Sequence, residues 1–211
     1  VDDLRVPTSD SLLGSDPFHR KPDYSVAVVR LATDTEKVGR SVVFGIGAGT
    51  DWLVYGLRDL SVLLIGLDIR DFASNPGKVH RRLMEHHQLR WLGDGLYRMV
   101  VGGLINALWD LWAKMADKPI WALLADLPPE KIIEAIDWRY LGDVLKPDTA
   151  RVILEQGRVG LSERRREMEQ QGPVAYSTSG WLGLSDSEII SNIKSLQSQG
   201  FRHFKAKVGS A

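Results

Sequence analysis

The sequence predicts an α+β unit followed by the start of an α/β unit. Three patterns predict it: two apolar segments around a short polar turn, a central series of helical repeats, and a strand, helix and strand near the C-terminal end. Antiparallel strands followed by helices are typical of an α+β domain, whereas alternating strands and helices form a parallel sheet. We therefore predict one domain over residues 1–172 and the start of a second over residues 173–211.

The first predicted element is a β-hairpin. Residues 25–33 are mostly apolar, residues 34–37 are polar, and residues 38–46 again have the composition of a strand. Two such runs joined by a short polar segment indicate antiparallel pairing.

Helical spacing follows the hairpin. Leucines at positions 53, 57, 60 and 64 repeat behind Asp51, a candidate N-cap. Asn75 and Pro76 offer an N-cap with proline at the first helical position, ahead of a repeat at positions 79, 83 and 87. The strongest helix is predicted over residues 99–118, which carry a broad apolar face and precede Pro119. Two shorter helices are predicted over residues 148–156 and 163–171.

The C-terminal pattern predicts a parallel crossover. Residues 174–179 and 201–208 have strand composition, and Ser185 and Glu188 stand at the spacing of a capping box ahead of an apolar helical repeat. A strand, a helix and a strand within about 35 residues form one parallel unit with a right-handed connection.

Composition excludes several classes of function. Lys plus Arg and Asp plus Glu each total 27, so no net charge attracts the chain to nucleic acid or to an anionic membrane surface. The chain has no cysteine, which excludes disulfides and thiolate metal sites. No uncharged apolar run approaches the roughly 20 residues that span a bilayer. We expect a cytoplasmic protein; a mitochondrial location stays open because the N-terminus lacks an initiator Met.

The sharpest local chemical feature is a pair of lysines near the C-terminal end. On a strand, Lys205 and Lys207 share one face, and Phe204, Ala206 and Val208 occupy the other. Two ammonium groups held together in a partly dry site repel, so we expect at least one lysine to have a lowered pKa and to be able to act as a general base. The alternative interpretation is an edge strand whose lysines discourage aggregation.

Two other motifs predict no ligand site. Gly45, Gly47 and Gly49 lack the full Gly-x-Gly-x-x-Gly spacing and any following Gly-Lys-Ser/Thr, so we interpret them as a loop rather than a nucleotide site. His86 and His87 adjoin in sequence and would diverge by about 100° on a helix. A zinc site would need further convergent ligands.

Several runs along the whole chain match one family in colinear order. They are residues 5–9, 14–16, 22–25, 88–93, 106–114, 118–119, 136–140, 176–186 and 205–209. In these runs the chain resembles the acid-sugar dehydratases of the enolase superfamily, of the mandelate racemase and muconate lactonizing type, and among them most closely the L-fuconate dehydratases.

The resemblance implies a fold and a set of site residues. It implies an α+β capping domain of antiparallel sheet and helices, followed by the first two strands of a (β/α) barrel that is incomplete in this chain. It also implies that Lys207 exchanges the proton α to the substrate carboxylate and that Lys205 contacts the substrate. The residues implied for the substrate-binding loop are Gly14, Ser15, Asp16 and Tyr24. The family uses Mg²⁺ held by carboxylates on later barrel strands, so no metal ligand is expected here.

The implied function is conversion of L-fuconate to 2-keto-3-deoxy-L-fuconate. The expected partner is a small-molecule sugar acid, with no nucleic acid and no membrane, and a homo-oligomer stays open for a full-length protein. We expect these residues to be an N-terminal fragment that is inactive alone. Two alternatives remain: a non-catalytic remnant or binding module of the same fold, and a dehydratase or racemase for another sugar acid. Ala48 stands where relatives usually carry a basic residue, which bears on the choice of sugar.

Overall fold

The computed structural model describes residues 1–209 and begins with a three-stranded antiparallel sheet. Its strands are β1 (Asp2–Leu4), β2 (Tyr24–Ala32) and β3 (Val38–Ile46), in the order β1-β2-β3. The predicted hairpin is confirmed, because β2 and β3 pair from Tyr24 opposite Ile46 to Ala32 opposite Val38. The sequence did not predict β1, whose three residues are too few to show a period.

Helices follow the sheet along the chain. They are α1 (Gly49–Ser61), α2 (Ile69–Ser74), α3 (Pro76–Met84), α4 (Leu96–Met115), α5 (Ile120–Asp126), α6 (Pro129–Ala135), α7 (Pro147–Gly157) and α8 (Leu161–Gln171). Of these helices, α1 and α4 pack against the sheet. The two shorter predicted helices correspond to α7 and α8. No pattern in the sequence predicts α2 or α6, which have six and seven residues.

The predicted helix starts have different outcomes. Asn75 caps α3 as predicted, because its side-chain oxygen accepts a hydrogen bond from the Lys78 amide at 2.8 Å. The prediction for Asp51 is wrong: α1 begins at Gly49, and the Asp51 carboxylate lies 2.6 Å from an Arg5 nitrogen instead. The histidine at position 87 is also not helical, because α3 ends at Met84.

The core lies between the sheet and α4. This helix has 20 residues and begins and ends three residues earlier than predicted. Val29 and Val43 from the sheet and Leu57 and Leu104 from the helices are buried there. Gly103 permits the close approach of α4 to β3, since a side-chain carbon at that position would overlap Val43. Burial of apolar side chains on this scale is the main stabilising contribution to such a domain.

A second, smaller sheet follows α8. Strands β4 (Ser177–Gly180) and β5 (Phe204–Ala206) pair in parallel, and α9 (Asp186–Ser198) connects them. The capping box is confirmed, because Ser185 and Glu188 each accept a hydrogen bond from the other's backbone amide. Both strands are shorter than predicted: the pairing is irregular between Thr178 and Gly180, and each strand has one neighbour in the described sheet.

Burial differs sharply between the two sheets. Among residues 173–209, only Ser179 and Gly180 are buried, and neither contributes a large apolar side chain. Over residues 1–209, no helix combines the length and the apolar composition needed to cross a membrane.

Candidate functional site

The site begins with a loop that precedes β2, which we call the Gly14 loop (residues 12–24). Side chains hold its base together: the Thr8 hydroxyl donates to the Pro22 carbonyl at 2.6 Å and accepts from the Tyr24 amide at 2.9 Å. Within the loop, the Ser15 hydroxyl donates to the carbonyls of Leu12 and Arg20, at 2.6 and 2.9 Å. These bonds fix the loop beside the end of the three-stranded sheet.

Lys207 meets this loop from the second sheet. It directly follows β5, and its backbone amide donates to the Gly180 carbonyl at 3.0 Å. Its side chain is 18% exposed and points at the Gly14 loop. The ammonium nitrogen donates to the Gly14 carbonyl, to the Tyr24 hydroxyl at 3.0 Å and, at 3.4 Å, to the Asp16 carboxylate. Four of the predicted site residues therefore converge at one point.

Gly14 and Tyr24 are fitted closely to each other. Gly14 has a φ of +72°, and a side-chain carbon there would lie 2.6 Å from the Tyr24 ring. Glycine satisfies both constraints, since it adopts positive φ without strain and occupies no side-chain volume. The Tyr24 hydroxyl donates to the Gly14 carbonyl at 2.6 Å, and its ring packs on Phe44 with centroids 5.4 Å apart.

Asp16 turns one carboxylate oxygen into the loop and the other towards Lys207. One oxygen accepts from the backbone amides of Phe18 and His19, at 3.0 and 2.7 Å. The hydrogen bond from the His19 backbone is the largest contribution that lowers the pKa of Asp16, and the neighbouring Lys207 lowers it further against the opposing effect of desolvation. Asp16 is therefore held as a carboxylate.

The pKa of Lys207 shifts in the opposite direction from the one expected from the sequence. Desolvation is the largest single effect and lowers its pKa, but the hydrogen bonds to Tyr24 and Asp16 together outweigh it and raise the pKa above the ordinary value of 10.5. The prediction that crowding by a second lysine would lower it is wrong for this residue. The reason is that Lys207 is surrounded by acceptors, while the Lys205 nitrogen lies 5.8 Å from the Tyr176 ring centroid.

The remaining predicted residues are placed differently. Lys205 is exposed on β5, away from the contacts that Lys207 makes with the Gly14 loop. Ser15 is 2% exposed, and its hydroxyl serves the loop itself. The substrate contacts expected of these two residues stay predictions.

Two residues that shape the site, Leu182 and Phe44, were not predicted from the sequence. The Leu182 amide donates to the Ser15 carbonyl at 3.2 Å, so the segment after β4 is also fastened to the Gly14 loop. Its position was the available signal, because segments that follow parallel strands form the functional face of a barrel. Phe44 supports Tyr24 by aromatic packing, and only the pairing of β2 with β3 brings the two rings together.

The two motifs that predicted no ligand site, the glycine run and the histidine pair, make local contacts within the fold. The Gly47 amide donates to the Asp23 carbonyl at 2.9 Å, and the Gly47 carbonyl accepts from Arg5 at 2.6 Å. His86 and His87 lie beyond α3 with their rings stacked, 5.2 Å between centroids, rather than diverging on a helix. Within residues 1–209, no group of three or more His, Asp or Glu side chains is arranged to hold a metal ion.

Known proteins resemble the chain in sequence and in structure. It is 38% identical over 215 residues to human mitochondrial enolase superfamily member 1, covering 100% of the chain and 48% of that protein. It is 37% identical over 213 residues to the L-galactonate dehydratase of Hypocrea jecorina, covering 99% of the chain and 47% of that protein. The chain therefore spans about half the length of these relatives.

The structural likeness is equally extensive. The crystal structure of human mitochondrial enolase superfamily member 1 superimposes with a TM-score of 0.93 at 38% identity, over 99% of this chain and 48% of that one. No protein-family model matches the sequence.

Proposed function

Since the chain belongs to the enolase superfamily, we propose that it forms the N-terminal part of an acid-sugar dehydratase that acts on L-fuconate. In this proposal residues 1–172 are the capping domain and residues 173–211 begin the barrel. The observation that carries the proposal is the contact of Lys207 with Gly14, Asp16 and Tyr24, at the C-terminal end of a parallel strand. That end of the strands is where barrel enzymes place their chemistry.

Lys207 is the proposed acid and base. As an amine it removes the proton from the carbon next to the substrate carboxylate, and as the resulting ammonium it gives that proton to the hydroxyl on the following carbon, which leaves as water. The resulting enol becomes the 2-keto-3-deoxy acid when it loses its hydroxyl proton and gains a proton on the third carbon. Proton transfer by a positioned side chain contributes about 100- to 10,000-fold to such a reaction.

Lys207 must lose a proton before it can act as a base. The Gly14 loop holds the ammonium form, because it offers the carbonyl of Gly14, the hydroxyl of Tyr24 and the carboxylate of Asp16. Desolvation favours the neutral amine, so loss of one of these acceptors would lower the pKa of Lys207. The hydroxyls of the sugar could bond to Asp16, whose carboxylate accepts hydrogen bonds.

Magnesium, which the family resemblance implies, does not fit residues 1–209. Mg²⁺ requires oxygen ligands in near-octahedral geometry, and the described chain has no cluster of three carboxylates or histidines. Its ligands would have to come from outside this stretch. When bound, the ion would stabilise the negative charge that develops on the substrate carboxylate.

L-Galactonate is the second candidate substrate. The relative from Hypocrea jecorina is named an L-galactonate dehydratase, and this acid differs from L-fuconate only by a hydroxyl on carbon 6. The ratio of kcat/KM for the two acids would decide between them. The relatives named mitochondrial also keep a mitochondrial location open beside a cytoplasmic one.

Exchange of the substrate α-proton with deuterium tests the proposal. In a version extended to the length of the relatives, Lys207→Ala should reduce exchange by at least about 100-fold. Lys194→Ala, which removes an exposed lysine of α9, is the matched control and should exchange normally. Residues 1–211 alone should form no product from L-fuconate with Mg²⁺ present. Normal exchange by a folded Lys207→Ala variant would remove Lys207 from the mechanism, and absence of any turnover by the extended protein would favour the non-catalytic binding module.

A further inference from the structure

Lys207, Tyr24 and the Gly14 carbonyl form a closed triangle of hydrogen bonds. Tyr24 donates to Gly14 at 2.6 Å, and Lys207 donates to both the Tyr24 hydroxyl, at 3.0 Å, and the Gly14 carbonyl. The resemblance assigned Tyr24 a contact with substrate, but this geometry gives it a different task. We propose that Tyr24 is a positioning residue for Lys207, which holds the lysine nitrogen at the Gly14 loop whether or not it carries the transferable proton.

In the ammonium form of Lys207, the number of N–H donors equals the number of oxygen acceptors that face it. A lysine ammonium has three N–H donors and no acceptor. Three oxygen acceptors face it: the Gly14 carbonyl, the Tyr24 hydroxyl and the Asp16 carboxylate. The single proton of the Tyr24 hydroxyl is directed to Gly14, so the hydroxyl presents a lone pair to Lys207.

The neutral amine needs a different partner. It has two donors and one lone pair, and the lone pair would be repelled by an oxygen that can only accept. A carbonyl and a carboxylate cannot donate, whereas a hydroxyl can rotate and donate. Among the three oxygens that face Lys207, Tyr24 alone can therefore adapt to both protonation states.

The surroundings restrict Tyr24 to this place. Its ring packs on Phe44 from one side, and Gly14 lies against it from the other because no side chain intervenes. The charged groups near Lys207 are Asp16, which also binds His19, and Lys205, two residues earlier on β5. Tyr24 lies closer to the nitrogen than Asp16 does, at 3.0 against 3.4 Å.

The catalytic importance of positioning Lys207 rests on the proposed function, but the positioning itself can be tested without an activity assay. Lysine labelled with ¹³C at Cε reports the protonation of Lys207 by NMR in residues 1–211. Tyr24→Phe keeps the ring and removes the hydroxyl. Hydrogen bonds to a charged donor are stronger than those to a neutral one, so this variant loses more from the ammonium than from the amine, and the midpoint should fall. Tyr55→Phe, which removes the hydroxyl of an exposed tyrosine on α1, is the control and should leave the midpoint unchanged.

A second variant separates loss of the hydroxyl from loss of folding. Phe44→Leu loosens the support of the Tyr24 ring without touching Lys207, and it should lower the midpoint less than Tyr24→Phe does. Backbone amide spectra identify the folded variants. An unchanged Lys207 midpoint in folded Tyr24→Phe would overturn the positioning role.

Activity distinguishes this inference from the proposed function. In the extended protein, Tyr24→Phe should lower kcat and move the acid limb of its pH profile to lower pH. A change confined to KM would mean that Tyr24 contacts substrate only, and it would overturn the inference while leaving the proposed dehydratase intact. A shifted NMR midpoint in a protein that converts no sugar acid would support the positioning of Lys207 and contradict the proposed reaction.

Discussion

Different interactions stabilise the core between the three-stranded sheet and α4 and the β4–α9–β5 unit. In the first, side chains such as Val101 and Leu104 are buried between the helices and the sheet. In the second, the described residues contribute two buried positions, Ser179 and Gly180, and the unit is fastened to the rest by polar contacts. These contacts are the Leu182 amide to the Ser15 carbonyl and the Lys207 ammonium to the Gly14 loop.

The region that contributes most to stability is not the region that carries the proposed catalytic lysine. Buried apolar area supplies most of the free energy of folding, whereas a partly exposed polar contact contributes little. The proposed catalytic lysine therefore lies in a unit that buries little apolar area. Binding loops and mobile active-site segments are commonly the parts of a protein with the lowest local stability.

Truncation of a core side chain should give the largest contrast between the two regions. Leu104→Ala in α4 removes a fully buried side chain and should lower the free energy of unfolding by about 2–5 kcal/mol. Ile190→Ala in α9, at a half-exposed position, should lower it by about 0.5 kcal/mol or less. Urea denaturation followed by circular dichroism measures both. Comparable losses would mean that α9 is as well packed as α4.

Removal of a helix cap compares the same two regions through a smaller expected change in stability. Asn75→Ala on α3 and Ser185→Ala on α9 each remove one side-chain cap, which is typically worth about 1 kcal/mol. The first should lower the global free energy of unfolding, because α3 packs in the core. The second should instead speed amide exchange within α9, since this helix can open alone. A global loss from Ser185→Ala equal to that from Asn75→Ala would show that the two regions unfold together.

The smallest effect concerns pH and the contact between Lys207 and Asp16. The pKa of Asp16 is depressed below 3.8, so its contribution is present above pH 3.8 and is lost as pH falls through the folded value. The pKa of Lys207 is raised above 10.5, so its contribution is present below pH 10.5 and is lost as pH rises through the folded value. Amide chemical shifts of Gly14 and Lys207 should be constant between these limits and change beyond them. Large shifts near neutral pH would indicate a different titrating group.

The predicted fold class is confirmed: an α+β cap of antiparallel sheet and helices, followed by two parallel strands of a partial barrel. The features that the sequence predicted best are local. The cap by Asn75 and the box formed by Ser185 and Glu188 depend on residues three positions apart, which the sequence displays directly. Asp51 is not a cap, because α1 begins two residues earlier and the Asp51 carboxylate binds Arg5, which lies far away in the chain.

The functional roles implied for the site residues stay predictions, but their proximity can be seen in the structure. The resemblance identified Gly14, Asp16, Tyr24 and Lys207, and the structure brings these four together. The raised pKa of Lys207 could not be predicted, because its partners lie up to 193 positions earlier in the chain and the spacing of the two lysines contains no information about them.

Hydrogen exchange of residues 1–211, resolved along the chain, tests the central comparison most directly. Amides over residues 101–115 should exchange slowly, because α4 opens only when the core unfolds. Amides over residues 174–209 should exchange much faster, because two short strands with one neighbour each and a half-exposed helix can open locally. Equally strong protection of both segments would contradict this account and would mean that the β4–α9–β5 unit is stabilised by contacts beyond those with the Gly14 loop.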